Sequence, residues 1–184
     1  MLFRSIGGGV RTLEQVRELL KYGADKVAIN TAAYETPELI RAAADRFGSQ
    51  CVVASVDVRR HADGRGECFS HSGTRATGRE PVAWAQELEC RGAGEILLTS
   101  VERDGTMQGY DLELIRSVAA AVTIPVIASG GAGSYEHMYQ SLSEGGASAV
   151  AAASIFHYTQ QTPLEAKRHL AAKGIAVRNA EQPA

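Results

Sequence analysis

Two carboxylates and two glycine-rich runs are the residues of this sequence best suited to chemistry. Asp57 closes the apolar run Val52-Val53-Ala54-Ser55-Val56-Asp57. A carboxylate at the mouth of such a run is unfavourable unless it is paired or working. It therefore reads as a general acid/base or as a structural hydrogen-bond acceptor. Asp104, in Glu102-Arg103-Asp104-Gly105-Thr106, follows the run that ends at Thr99-Ser100. Alone it reads as an Asx-turn residue before Gly105; placed between Asp57 and the second glycine run, it is a second acid/base candidate. Thr99 and Ser100 can orient a substrate, or fill core and cap positions equally well. Gly7-Gly8-Gly9 lies between a short apolar run and a helical pattern. Glycines let a backbone approach an anion closely, and a helix start offers free N–H groups; a simple tight turn needs the same glycines. The echo of this run in Ser129-Gly130-Gly131-Ala132-Gly133 argues against a turn alone. Each glycine run is matched by a small polar end on the next apolar run, Asn30-Thr31 in one case and Ala153-Ser154 in the other. Two similar anion sites imply a substrate carrying two phosphates.

The elements that must position these residues alternate. Short apolar runs are expected as strands at Leu2–Ile6, Lys26–Ile29, Cys51–Val58, Glu95–Thr99, Pro125–Ala128 and Ala149–Ala152. Amphipathic runs are expected as helices at Leu13–Tyr22, Pro37–Arg46, Pro81–Cys90, Leu112–Ala121, Tyr135–Glu144 and Pro163–Lys173. The run at Cys51–Val58 hardly alternates, as expected of a parallel strand buried on both faces. A polar excursion between His61 and Gly78 holds a small hairpin around Glu67–Ser70. Strict alternation of strand and helix means a parallel sheet covered by helices, doubly wound or closed as a barrel. Internal similarity favours the barrel: the glycine runs, and Gly23–Thr31 against Gly146–Ser154, repeat at an offset near 123 residues. If four units make each half, the chain carries units three to eight of a (β/α)8 TIM barrel over residues 1–178. Strands one and two are then missing, and residues 179–184 form a flexible tail.

Composition excludes several classes. The 184 residues are 45% hydrophobic and 22% charged with a formal net charge of −2, without the basic bias of a nucleic-acid binder. No apolar run reaches the roughly 18 residues of a membrane span, and no secretory signal pattern opens the chain, so a cytoplasmic protein is expected. Cys51, Cys68 and Cys90 fit reduced thiols, with Cys51 in a buried strand, better than a disulfide framework or zinc site. His71 and His157 lack partners at metal-binding spacing and read as loop hydrogen-bonders; Trp84 reads as core. Lys26 and Glu95 each begin a short strand and lie at the bottom of the barrel, either as solvent-edge charges or as a polar constriction of its axis.

The runs Ile6–Arg11, Gly23–Val27, Phe47–Gln50, Gly92–Ser100, Arg103–Thr106, Gly109–Leu112, Ile127–Gly133 and Ala153–His157 together resemble the cyclase subunit of imidazole glycerol phosphate synthase, over nearly the whole chain. The resemblance implies a ribulose-phosphate-binding barrel with no cofactor and no metal. Ammonia from a glutaminase partner subunit would enter the bottom of the barrel. At the top it would react with a bisphosphorylated formimino-linked phosphoribulosyl aminoimidazole carboxamide ribonucleotide. The products are imidazole glycerol phosphate, for histidine synthesis, and the carboxamide ribonucleotide. By the same resemblance Asp57 is one of two catalytic aspartates. Gly9, Asn30 and Thr31 match one phosphate site, and Asp104, Gly105, Gly131, Ala153 and Ser154 match the other, beside Gly130. Lys26 and Glu95 match an ammonia gate, and Asp25 a residue facing the glutaminase. The strand that carries the family's other catalytic aspartate has no counterpart here. The stretch Phe69–Gly78 also departs from the usual Thr-His-Gly-Gly-Arg. With Ser154–Thr159 and Thr162-Pro163 it leans toward a paralogue that works with an amidotransferase to install acetamidino groups on surface-polysaccharide sugars. A third alternative is an inactive fragment that only binds phosphorylated ligands.

Overall fold

The computed structural model describes residues 4–178. Six parallel strands form the sheet: β1 (Ser5–Gly7), β2 (Lys26–Ile29), β3 (Val52–Arg60), β6 (Glu95–Ser100), β7 (Val126–Ser129) and β8 (Ala149–Val150). Each pairs in parallel with the one before it in this series, and the order never reverses. A doubly wound sheet must reverse its strand order; this one does not. Right-handed crossovers then place every connecting helix on one face, and the sheet curls around the other. The result is an open, strongly curled part-barrel, two strands short of a closed eight-stranded one.

The helices begin where the sequence supplies caps. Thr12 and Gln15 form a capping box at α1 (Leu13–Lys21), and Thr162 and Glu165 another at α8 (Pro163–Ala172). Glu80, Asp111 and Ser134 cap α4 (Pro81–Cys90), α5 (Leu112–Ala119) and α6 (Tyr135–Ser143). Two helices of five residues, α2 (Thr31–Glu35) and α7 (Ser154–Tyr158), were not expected. Neither has a side-chain cap, so the start signal that marks every longer helix except α3 (Glu38–Phe47) is missing. Pro37 begins α3 (Glu38–Phe47).

Several expected boundaries shift. Cys51 lies in a one-turn 3-10 helix, Ser49–Cys51, and is only partly buried, rather than in a buried strand. Strand β3 in turn runs on to Arg60, because β4 (Gly66–Ser70) pairs antiparallel with its last four residues. The excursion is a three-stranded extension, with β5 (Arg75–Ala76) on β4. Helix α5 ends two residues early and β8 is shorter than expected. His157 sits on α7 rather than in a loop. Leu2 and Phe3 of the first expected strand, and the expected tail, lie outside the described residues.

The core occupies the helix-covered face. Val27, Ile29, Val52, Ala54, Val56, Val58, Ile96, Leu98, Val126 and Ala128 are each at most 2% exposed. Their neighbours Ala28, Ser55, Asp57, Leu97, Thr99 and Ile127, pointing to the concave face, are only half buried. The non-alternating sequence of β3 is thus met by alternating burial from Ser55 onward. Trp84 is fully buried against Tyr34, ring centroids 4.7 Å apart. A one-sided core makes adjacent residues unequal. Ile96→Ala should lose about 2–5 kcal/mol in urea unfolding, and Leu97→Ala clearly less; equal losses would contradict the one-sided core.

Candidate functional site

The C-terminal ends of the strands meet at one rim, the end at which barrels carry their chemistry. At β1, β2 and β3 a cavity of about 660 Å³ is lined by Gly7, Gly8, Gly9, Asn30, Thr31 and Asp57 among others. At β6, β7 and β8 a smaller hollow of about 140 Å³ is lined by Asp104, Gly105, Gly130, Gly131, Ala153 and Ser154. The structure therefore gathers the residues singled out in the sequence into two groups, each with a glycine loop and a carboxylate.

The sequence duplication is a backbone duplication too. Gly8 and Gly9 have φ of 106° and 70°, and Gly130 and Gly131 have 89° and 103°. Asn30 (φ −112°, ψ −85°) and Ala153 (φ −128°, ψ −63°) share an uncommon conformation, and each opens a five-residue helix. The two loops nevertheless use their glycines differently. A Cβ on Gly8 or Gly9 would meet nothing within 4 Å, so there the need is the left-handed φ alone. A Cβ on Gly131 would fall 2.2 Å from the carbonyl oxygen of Gly109, whose N–H donates to the Gly131 carbonyl at 2.7 Å. The second loop is therefore glycine because the backbone of the β6–α5 loop rests on it.

Polar residues at the first cavity are partly committed to the fold. Asn30 donates its amide to the Ser55 carbonyl at 3.2 Å, and Thr31 Oγ1 accepts the His71 N–H at 3.0 Å. His71 and Ser72 come from the β4–β5 turn and also line this cavity, both with left-handed φ, 53° and 56°. His71 Nδ1 shares a 3.0 Å hydrogen bond with Ser70 Oγ, and its Nε2 lies 3.6 Å from Glu35. Neither residue was chosen as a site candidate. The turn is non-local, and its approach to β2 depends on the β3–β4 pairing, which no local pattern encodes. Arg11, another lining residue, stands two positions after Gly9, and its cationic side chain was the missed signal.

Asp57 is the perturbed group of the site. Burial first, and the like charge of Asp104 second, raise its carboxyl to about 6. No hydrogen-bond donor among the described residues offsets this. Such a carboxyl is poised to give and take protons near neutrality.

At the opposite ends of the strands, Lys26 and Glu95 reach across β3 and form an ion pair, both side chains largely buried. The solvent-edge alternative does not hold for either. Asp25 Oδ2 accepts the Arg4 N–H at 2.8 Å, and its own N–H donates to the Arg4 carbonyl, which ties the turn before β2 to β1.

A singly wound part-barrel with duplicated glycine loops and a carboxylate in each rim hollow defines a (β/α)-barrel protein of half-barrel duplication. A family model described as histidine biosynthesis protein matches residues 4–162, from the first described strand to the cap of α8. The chain belongs to that family.

Two measurements test the site geometry. Ionising Asp57 opposes folding, so stability at this residue is greatest below pH about 4 and falls as pH rises through about 6. Asp57→Asn should therefore gain melting temperature relative to the parent as pH is raised from 4 to 8; a gap constant with pH would refute the perturbation. Gly131→Ala should lose at least about 2 kcal/mol, against about 1 kcal/mol for Gly9→Ala, where only φ is strained. Equal losses in chemical denaturation would deny the packing difference.

Proposed function

We propose that the chain carries the cyclase activity of imidazole glycerol phosphate synthase. In this reading it joins ammonia to the bisphosphorylated phosphoribulosyl formimino ribonucleotide. The observation that carries the reading is the placement of two glycine-loop hollows on one rim, with carboxylates close enough to repel each other. A substrate with a phosphate at each end spans such a rim. One phosphate lies over Gly9, Asn30 and Thr31, the other over Gly105, Gly130, Gly131, Ala153 and Ser154. Backbone N–H groups at the glycine loops and helix starts supply donors suited to phosphate oxygens. Ammonia addition and ring closure both move protons, and Asp57 and Asp104 are the groups placed to carry them. Family membership supports the place in histidine biosynthesis.

The same reading gives the strand bottoms a role. The Lys26–Glu95 pair closes the floor of the concave face as a gate for ammonia delivered by a glutaminase subunit, and Asp25 faces that subunit. The departure at Phe69–Gly78 supports the paralogue reading to one extent: His71 and Ser72 of this stretch line the first cavity, where they bear on substrate choice.

The test is release of the carboxamide ribonucleotide at saturating ammonium salt, followed by absorbance. Asp57→Asn should lower kcat by about 10²-fold or more with little change in KM. With Asp57 acting as base, the parent's kcat/KM should rise as pH passes about 6, and this limb should vanish in the variant. A parent inert toward this nucleotide, or a variant as fast as the parent, overturns the reading. Turnover of a keto-sugar acceptor instead would favour the paralogue.

A further inference from the structure

The β6–α5 loop, residues 101–111, brings Asp104 and Gly105 to the rim, and three left-handed residues bend it: Gly105 (79°), Met107 (59°) and Gly109 (98°). Its second half leans on the loops after β7 and β8, through Gly109 N–H to the Gly131 carbonyl at 2.7 Å and Tyr110 Oη to the Ala151 carbonyl at 2.9 Å. Toward β3, the strand of Asp57, its start is held by the Val101 N–H on the Val58 carbonyl at 2.9 Å. Its end is held by a forked ion pair. Arg60 Nε and Nη2 donate to the two carboxylate oxygens of Asp111 at 2.8 and 2.9 Å. Asp111 is 5% exposed, and its Oδ1 also accepts the Leu114 N–H at 3.1 Å as the cap of α5. The remaining Arg60 donors go to the Gly64 carbonyl at 2.9 Å and Glu113 at 3.1 Å, which fixes the guanidinium.

This pair lies outside the apolar core, at the rim. An ion pair with one buried partner adds little net stability, because desolvation offsets the attraction, but a forked one fixes geometry closely. Arg60 lies three residues beyond Asp57 on the same strand, and Asp111 seven beyond Asp104 on the same loop. We propose that Arg60 and Asp111 are positioning residues of the site, a clasp that holds the loop of Asp104 against the strand of Asp57 and sets the separation of the two carboxylates. The proposal rests on the reading of those two aspartates as the working pair. The charged groups around the clasp are Glu113 on α5 and Arg103 on the loop, which acts on Asp111; Asp104 acts on Asp57, and Asp57 in turn on the Tyr34 phenol of α2.

Two conservative variants test the clasp while sparing the fold. Arg60→Lys keeps the charge and loses the fork; Asp111→Asn keeps the helix cap and loses the charge. The readout is the titration of the Asp57 carboxyl by carbon NMR on aspartate-labelled protein, with Asp57→Asn identifying the resonance. It needs no substrate, so it stays decisive if the proposed reaction fails. Released from Asp104, Asp57 should titrate lower in both variants, and the double variant should shift no further than the larger single shift. Where the parent turns over, kcat should fall about tenfold or more with the acid limb displaced by the same amount. An Asp57 titration unchanged in Arg60→Lys overturns the clasp, as does a double-variant shift equal to the sum of the singles.

Discussion

The molecule depends on one uninterrupted register, that of β3 beside β6. Six residues of each run in parallel, from Val53 opposite Glu95 to Val58 opposite Ser100. This ladder sets Asp57 level with Thr99 at one end and brings Glu95 within reach of Lys26 at the other. A slip of one residue would turn every side chain of one strand to the opposite face. Val56 and Val58 would then point into the concavity, and Asp57 would be driven into the helix-facing core, where a carboxylate is intolerable. The alternation of buried and half-buried residues along both strands fixes the register from both sides.

Around this ladder the packing is uneven in a way that bears on the site. The helix-facing layer is filled by Val, Ile, Leu and Ala at near-complete burial, while the concave layer mixes Ser55, Asp57, Glu95 and Thr99 with Leu97 and Ile127. Polar groups tolerate the concave side because its side chains are only half buried. Asp57 sits where this half-buried layer becomes enclosed by the β4 hairpin. Burial comes first, and the neighbouring charge second, among the causes that raise its carboxyl.

Much of this was legible in the chain. Asp57 stood out because a carboxylate closing an apolar run is chemically anomalous, Asp104 by its place between Asp57 and the second glycine run, and the glycine runs because they repeat. Those signals are local, and the fold class followed from alternation and repetition alone. What escaped was set by non-local pairing. The length of β3 depends on β4, whose strand character is weak in a stretch rich in Gly, Ser and Arg. The short helices α2 and α7 carry no cap, and His71 and Ser72 reach the rim only because the hairpin folds back. The glycine at 131 also has a packing reason that no sequence pattern showed. Its φ does place it in the left-handed region, yet a neighbouring loop, distant in sequence, forbids a side chain at Gly131 independently.

The paired conformations of Asn30 and Ala153 carry a consequence for how the two halves can diverge. The first copy holds its shape with side-chain bonds, Asn30 to β3 and Thr31 to the hairpin. The second holds the same shape at an alanine, with the Tyr110 hydroxyl on the Ala151 carbonyl and loop backbone resting on loop backbone at Gly131. Point substitution can therefore remodel the first half gradually, one hydrogen bond at a time. The second half leans more on main-chain contact, and an insertion or deletion in the β6–α5 loop would move Gly109 and Tyr110 off their partners at once. After a duplication, drift of this kind is one-sided: one copy becomes the adjustable half, and the other the fixed reference against which it is adjusted.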